Sequence, residues 1–188
     1  MSALPRPLLL PLALLLALLS GCATPLEPES ARLSTIERLQ LSSWMPAALR
    51  RQVALGKVQS ERISEAWFGT SVNTPRLRVV LDDLLRDTGL NAPDPKLARY
   101  ELHTKLLSQD ASWPQPGDSK ATLYLEFRLV QREGERLVYL RQMRVHQTLG
   151  WERSWTQPGQ GGRLALEAAM RQSLSTLLRE LAELPIEG

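Results

Sequence analysis

The chain has 188 residues, a formal charge of +3 and a single cysteine, Cys22. That length suffices for one domain with its own core, while one cysteine excludes an intramolecular disulfide and any site built on several thiolates. The charge excess, carried mainly by arginine, is small; it would favour anionic lipid or lipopolysaccharide phosphate over nucleic acid, but reads first as a solvated exterior.

Leu8 to Leu19 is a leucine-rich run. It is too short to cross a bilayer as a helix, which takes about 20 apolar residues, but it has the length of a signal peptide's apolar segment. Arg6 is the only charged side chain before it. Leu19-Ser20-Gly21-Cys22 follows at once. This tetrapeptide resembles the lipobox of bacterial lipoproteins. The resemblance implies cleavage before Cys22 and an acyl anchor on its thiol, which leaves no free thiol for catalysis or metal. It also implies the inner leaflet of the outer membrane, because Ala23, and not Asp, follows the cysteine. The alternative for a lone cysteine here is a buried core thiol or the end of an ordinary secretory signal. The expected organisation is residues 1–21 as signal peptide, 22–51 as lipidated terminus and tether, and 52–188 as a periplasmic domain.

Ala23 to Ser30 is polar with two prolines and reads as tether. Ser34 with Glu37 three residues on resembles a capping box, so a short helix is predicted over Ser34–Leu41, interrupted before Pro46. Val53–Val58 reads as a first strand in which Gly56 marks a bulge or a close backbone approach. Ser60–Asn73 reads as a loop. Thr74-Pro75 opens a helix, with Thr74 the expected cap; Leu77, Val80, Leu81, Leu84 and Leu85 form its apolar face, and Gly89 ends it. Tyr100–Leu107 alternates as a strand, followed by a loop over Ser108–Lys120. Leu123–Leu129 and Leu137–Leu149 form a hairpin about Arg132–Glu135. Arg141 breaks the second strand's alternation, which predicts a bulge or a sheet edge. Gln157–Gly162 reads as a loop. Leu164–Leu184 carries the strongest helical stripe, with Leu166, Met170, Leu174, Leu177, Leu181 and Leu184 spaced by three or four.

The order β-α-β-β-β-α predicts an α+β two-layer sandwich, a four-stranded, mainly antiparallel sheet with two helices on one face. The order of elements, together with the lipobox, resembles small periplasm-facing outer-membrane lipoproteins, among them the lipopolysaccharide-assembly (LptE-like) family. The likeness is architectural and matches no functional motif residue by residue. What it implies is a non-catalytic envelope accessory.

If the first strand, helix and Tyr100 strand make a crossover, the loops carrying Trp67 and Phe68, Trp113, and Trp151 and Trp155 converge at one end of the sheet. A tryptophan cluster suits contact with a protein partner or a lipid interface, so these five residues are the candidate contact site. The competing reading is that the rings cap the sandwich as core. Trp113, in a proline-rich loop, is the one expected at the surface. His103 and His146 fall on the polar sheet face, where they could approach one another. Two imidazoles with no matching thiolate or carboxylate motif do not make a metal site, and they read as solvated. No nucleophile elbow, zinc-protease motif, P-loop or dinucleotide fingerprint occurs, so no catalytic residue, metal or cofactor is expected. The expected role is an anchored module that binds an envelope protein or a lipid-assembly component. A lipid-binding transport accessory and an envelope hydrolase are the alternatives.

Overall fold

The computed structural model describes residues 32–61, 72–111, 117–150 and 160–186. Within them three helices and four strands follow in the order α1 (Thr35–Trp44), β1 (Val53–Ser60), α2 (Thr74–Asp87), β2 (Tyr100–Ala111), β3 (Ser119–Gln131), β4 (Arg136–Leu149) and α3 (Gly161–Ala182). The sheet runs β1-β2-β3-β4, with the first pair parallel and the other two antiparallel. Helix α2 packs on β1 and α3 across β3 and β4. This is the predicted α+β arrangement, and the short helix expected from Ser34 is present, extending three residues further to Trp44.

Local chemistry explains the helix ends. At α1, the Ser34 hydroxyl accepts from the Glu37 amide while the Glu37 carboxylate accepts from the Ser34 amide, a closed capping box. At α2 the cap is Asn73, one residue before the expected Thr74. The Asn73 carboxamide oxygen accepts from the Arg76 amide at 3.0 Å, and Thr74 becomes the first helical residue. Gly89, at φ +71°, turns the chain after α2, and the Leu90 amide returns to the Leu85 carbonyl. Helix α3 begins earlier than predicted, taking Gly161 and Gly162 into its first turn.

Bulges set which side chains enter the core. Strand β2 buries Tyr100, Leu102, Thr104 and Leu106, but Leu107 is an extra residue in its pairing with β3, so the parity flips and polar Gln109 faces inward. β2 therefore stays paired to Ala111, beyond its predicted end. In β1 two residues, Gly56 and Lys57, stand opposite His103, the bulge expected at Gly56. In β4 the extra residue is Val138, which displaces Leu137 from the face of Tyr139 and leaves it exposed. Arg141 itself sits in regular register with Phe127. β4 is a sheet edge, and Arg141 reaches Glu180 on α3 at 3.3 Å.

The core between the layers is filled by side chains with no exposed surface, among them Leu77, Leu81, Phe127, Leu129, Leu166 and Leu174. α3 is buried more widely than its predicted stripe, since Ala165, Ala169 and Leu178 are as inaccessible as Leu166 and Leu181. The reason is α1. Although it lies in the segment read as tether, it packs against α3, and Leu33, Leu41, Met45 and Leu49 join the common core. Ion pairs Arg32–Asp83 and Arg38–Asp87 fasten the same segment to α2. α1 is thus a third tier, lying across the helices.

Candidate functional site

The pairing register fixes where the loops leave the sheet. Ser60 pairs with Leu106, Ala111 with Ala121, and Ser119 with Leu149. The last residues of β1, β2 and β4 and the first of β3 are therefore at one end. Cys22, Trp67, Phe68, Trp113, Trp151 and Trp155 themselves lie outside the described residues. The structure brings together the ends of the three segments that carry the aromatic residues.

That end holds polar groups whose role the sequence did not signal. The Gln109 carboxamide, buried on β2, accepts from the Val72 amide at 2.8 Å and donates to the Val72 carbonyl at 3.4 Å, pinning the entry to α2. On the first turns of α3, Arg163 and Glu167 form an ion pair at 2.6 Å with side chains 8% and 2% exposed. Their spacing of four residues is the one signal that could have found them. A buried pair is costly to desolvate and adds little net stability. It lies at the start of α3, where residue 160 follows the segment bearing Trp151 and Trp155.

The open face of the sheet is mixed in charge. His103 does not meet His146. It faces Arg128 across the sheet, while His146 faces Thr122, six residues further along β3 and so about 20 Å away. The His103 Nδ1 atom accepts from the Lys57 amide at 3.0 Å, which places its ring hydrogen on Nε2 and makes it a brace for the β1 bulge. The His146 Nδ1 atom lies 3.0 Å from the Thr122 hydroxyl. Among the described residues no group of three or more His, Cys, Asp or Glu could hold a metal ion. A shallow depression of about 310 Å³ beside His103 is lined by both signs, including Lys105, Glu126 and Arg128.

At the opposite end, between the starts of β2 and β4 and the tail after α3, lies an open cleft of about 1040 Å³. Arg99, Arg136 and Glu133 stand at it beside Leu137, Val138, Leu184 and Ile186. One helical turn back from the tail, the Tyr139 hydroxyl donates to Glu180 at 2.6 Å. Burial pushes the Tyr139 phenol well above its ordinary range, and the hydrogen bond to Glu180 and its charge push the same way. The phenol is therefore a fixed donor that ties β4 to α3.

No family model and no curated protein matches the chain. Among solved structures it is similar to the DUF330 protein XCC0632 from Xanthomonas campestris, at 16% identity over 71% of this chain and 86% of that one, with a TM-score of 0.52. That likeness shows a shared fold. Weaker likenesses are to the PelC dodecamer from Paraburkholderia phytofirmans (19% identity, 71% and 92% of the two chains, TM-score 0.45) and to a minor lipoprotein from Acinetobacter baumannii (11%, 71% and 93%, 0.43). No helix among the described residues is long and apolar enough to cross a membrane.

Proposed function

We propose that this protein is an outer-membrane lipoprotein, anchored through Cys22, whose periplasmic domain holds or supports an envelope protein or lipid-assembly component without catalysing a reaction. The lipobox supports the anchor. The observation that carries the binding role is the shared exit point of the three aromatic-bearing segments, set by the pairings Ser60–Leu106, Ala111–Ala121 and Ser119–Leu149. Trp67, Phe68, Trp113, Trp151 and Trp155 then form the contact. Tethering raises the local concentration of that surface near membrane partners, so a modest intrinsic affinity suffices.

The test is crosslinking in intact cells from a photoreactive residue in place of Trp113, with Cys22→Ser as the unanchored control. Recovery of one envelope protein from the anchored form alone is expected. Recovery of nothing from either form contradicts the contact role of Trp113. A second reading, a lipid-binding accessory, is favoured by the open cleft, where two arginines outnumber the one carboxylate, Glu133, beside apolar side chains. Recovery of lipid from a photoreactive residue at Leu137, and of no protein from position 113, would favour it.

A further inference from the structure

Helix α1 is apolar on two sides. Leu41, with Leu33 before the helix and Met45 after it, faces the domain, yet Ile36, Leu39 and Trp44 are 70%, 66% and 62% exposed. Such an outward patch on a helix already packed on its inner side has no role in folding. Its surroundings are also unusual for this chain. The exposed residues from Ser34 to Ala47 are Ser34, Thr35, Ile36, Leu39, Gln40, Ser43, Trp44 and Ala47, and none is charged. The charged residues of α1 are turned aside, with Arg38 on Asp87 and Glu37 on Ser34. Exposed Arg50 and Arg51 follow at the end of the patch, the Arg50 guanidinium donating to the Met45 and Ser43 carbonyls.

We infer that this face of α1 lies on the lipid surface, with Trp44 at the headgroup level, Ile36 and Leu39 at the acyl boundary and Arg50 and Arg51 beside lipid phosphates. The inference rests on the proposed acylation of Cys22. Nine residues, 23 to 31, separate that anchor from the described chain. Even fully extended they span no more than about 35 Å, and they lead straight into α1. The first element of the domain is therefore held close to the bilayer, and its outward face is uncharged, apolar and bordered by cations. The segments bearing the other tryptophans leave the sheet at the end where α2 and α3 begin, whereas the α1 segment is fastened to Asp83 and Asp87 near the end of α2, so a domain lying on α1 keeps that loop end free for a partner.

The experiment uses the acylated protein purified from cells and reconstituted in phosphatidylethanolamine and phosphatidylglycerol vesicles, with and without brominated acyl chains. The difference between the emission of the native chain and that of Trp44→Phe isolates Trp44. Expected is a blue-shifted Trp44 emission that loses most of its intensity to bromine, and that returns to a water-exposed spectrum in Ile36→Ser/Leu39→Ser while the thermal midpoint holds. A water-like, unquenched Trp44 overturns the inference, as does a blue shift that bromine leaves untouched, which would assign the face to a second copy of the chain. The mass of the purified protein reports acylation separately. An unmodified Cys22 removes the anchor, and the docking proposal with it.

Discussion

Tyr139 shows how one side chain couples position to pH. Its phenol would titrate near 10.0 in the unfolded chain and does so at a higher pH in the fold, mainly because it is buried. The folded state therefore keeps a proton that the unfolded state releases. The stabilisation is complete below about pH 10 and is lost as pH rises further, at up to about 1.4 kcal/mol per unit. Urea unfolding from neutral pH to about pH 11 should show this slope in the native chain and a shallower one in Tyr139→Phe. At neutral pH the variant should lose about 1 kcal/mol with the Glu180 bond. Gly56 sets position through space instead. A Cβ there would lie 2.6 Å from His103 Nδ1 and 2.7 Å from Glu101 Cγ. Gly56→Ala must push the imidazole off the Lys57 amide, at a cost of about 1–2 kcal/mol. In a His103→Ala background the same substitution should cost less; an equal cost in both would show that the ring is not what the glycine makes room for.

Elements are joined by a few polar clamps. Gln109→Ala strips both partners from the Val72 backbone, and a loss of about 2 kcal/mol is expected. Amide exchange should quicken in the first turn of α2 before it changes in α3. Ser34→Ala opens the capping box and should cost about 1 kcal/mol. The Glu37 carboxyl is held below its usual value first by the Ser34 side chain and then by the Ser34 amide. Its titration, followed by NMR, should move up toward 4.5 in that variant. No movement would mean that the carboxylate is held by something other than the cap. The capping box was readable from Ser34 and Glu37, as was Gly89. The packing of α1 was not, because two apolar faces on one short helix give no single stripe; the helix does stop before Pro46, as expected. In β2 the alternation was legible as far as Leu106. Beyond it the bulge at Leu107 flips the parity, and an inward Gln109 is indistinguishable by composition from a loop residue.

For the whole molecule, the order of elements and the α+β class followed from periodicity alone, since β3 and α3 keep one period throughout their lengths. The site was legible only as a convergence of loop ends. The sequence placed Trp67, Trp113 and Trp155 in loops that topology sends to one end, and the strand pairing supports the loop ends' meeting there. The buried Arg163–Glu167 pair at that end was overlooked because charged residues at a spacing of four are ordinary on helix surfaces. An anchored module needs an anchor, so the account turns on Cys22. The most direct measurement is the intact mass and N-terminal peptide of the protein recovered from membranes. The account predicts a chain that begins at Cys22 and carries acyl groups on that residue. A chain that retains the leucine-rich leader, or begins elsewhere with an unmodified Cys22, would contradict it.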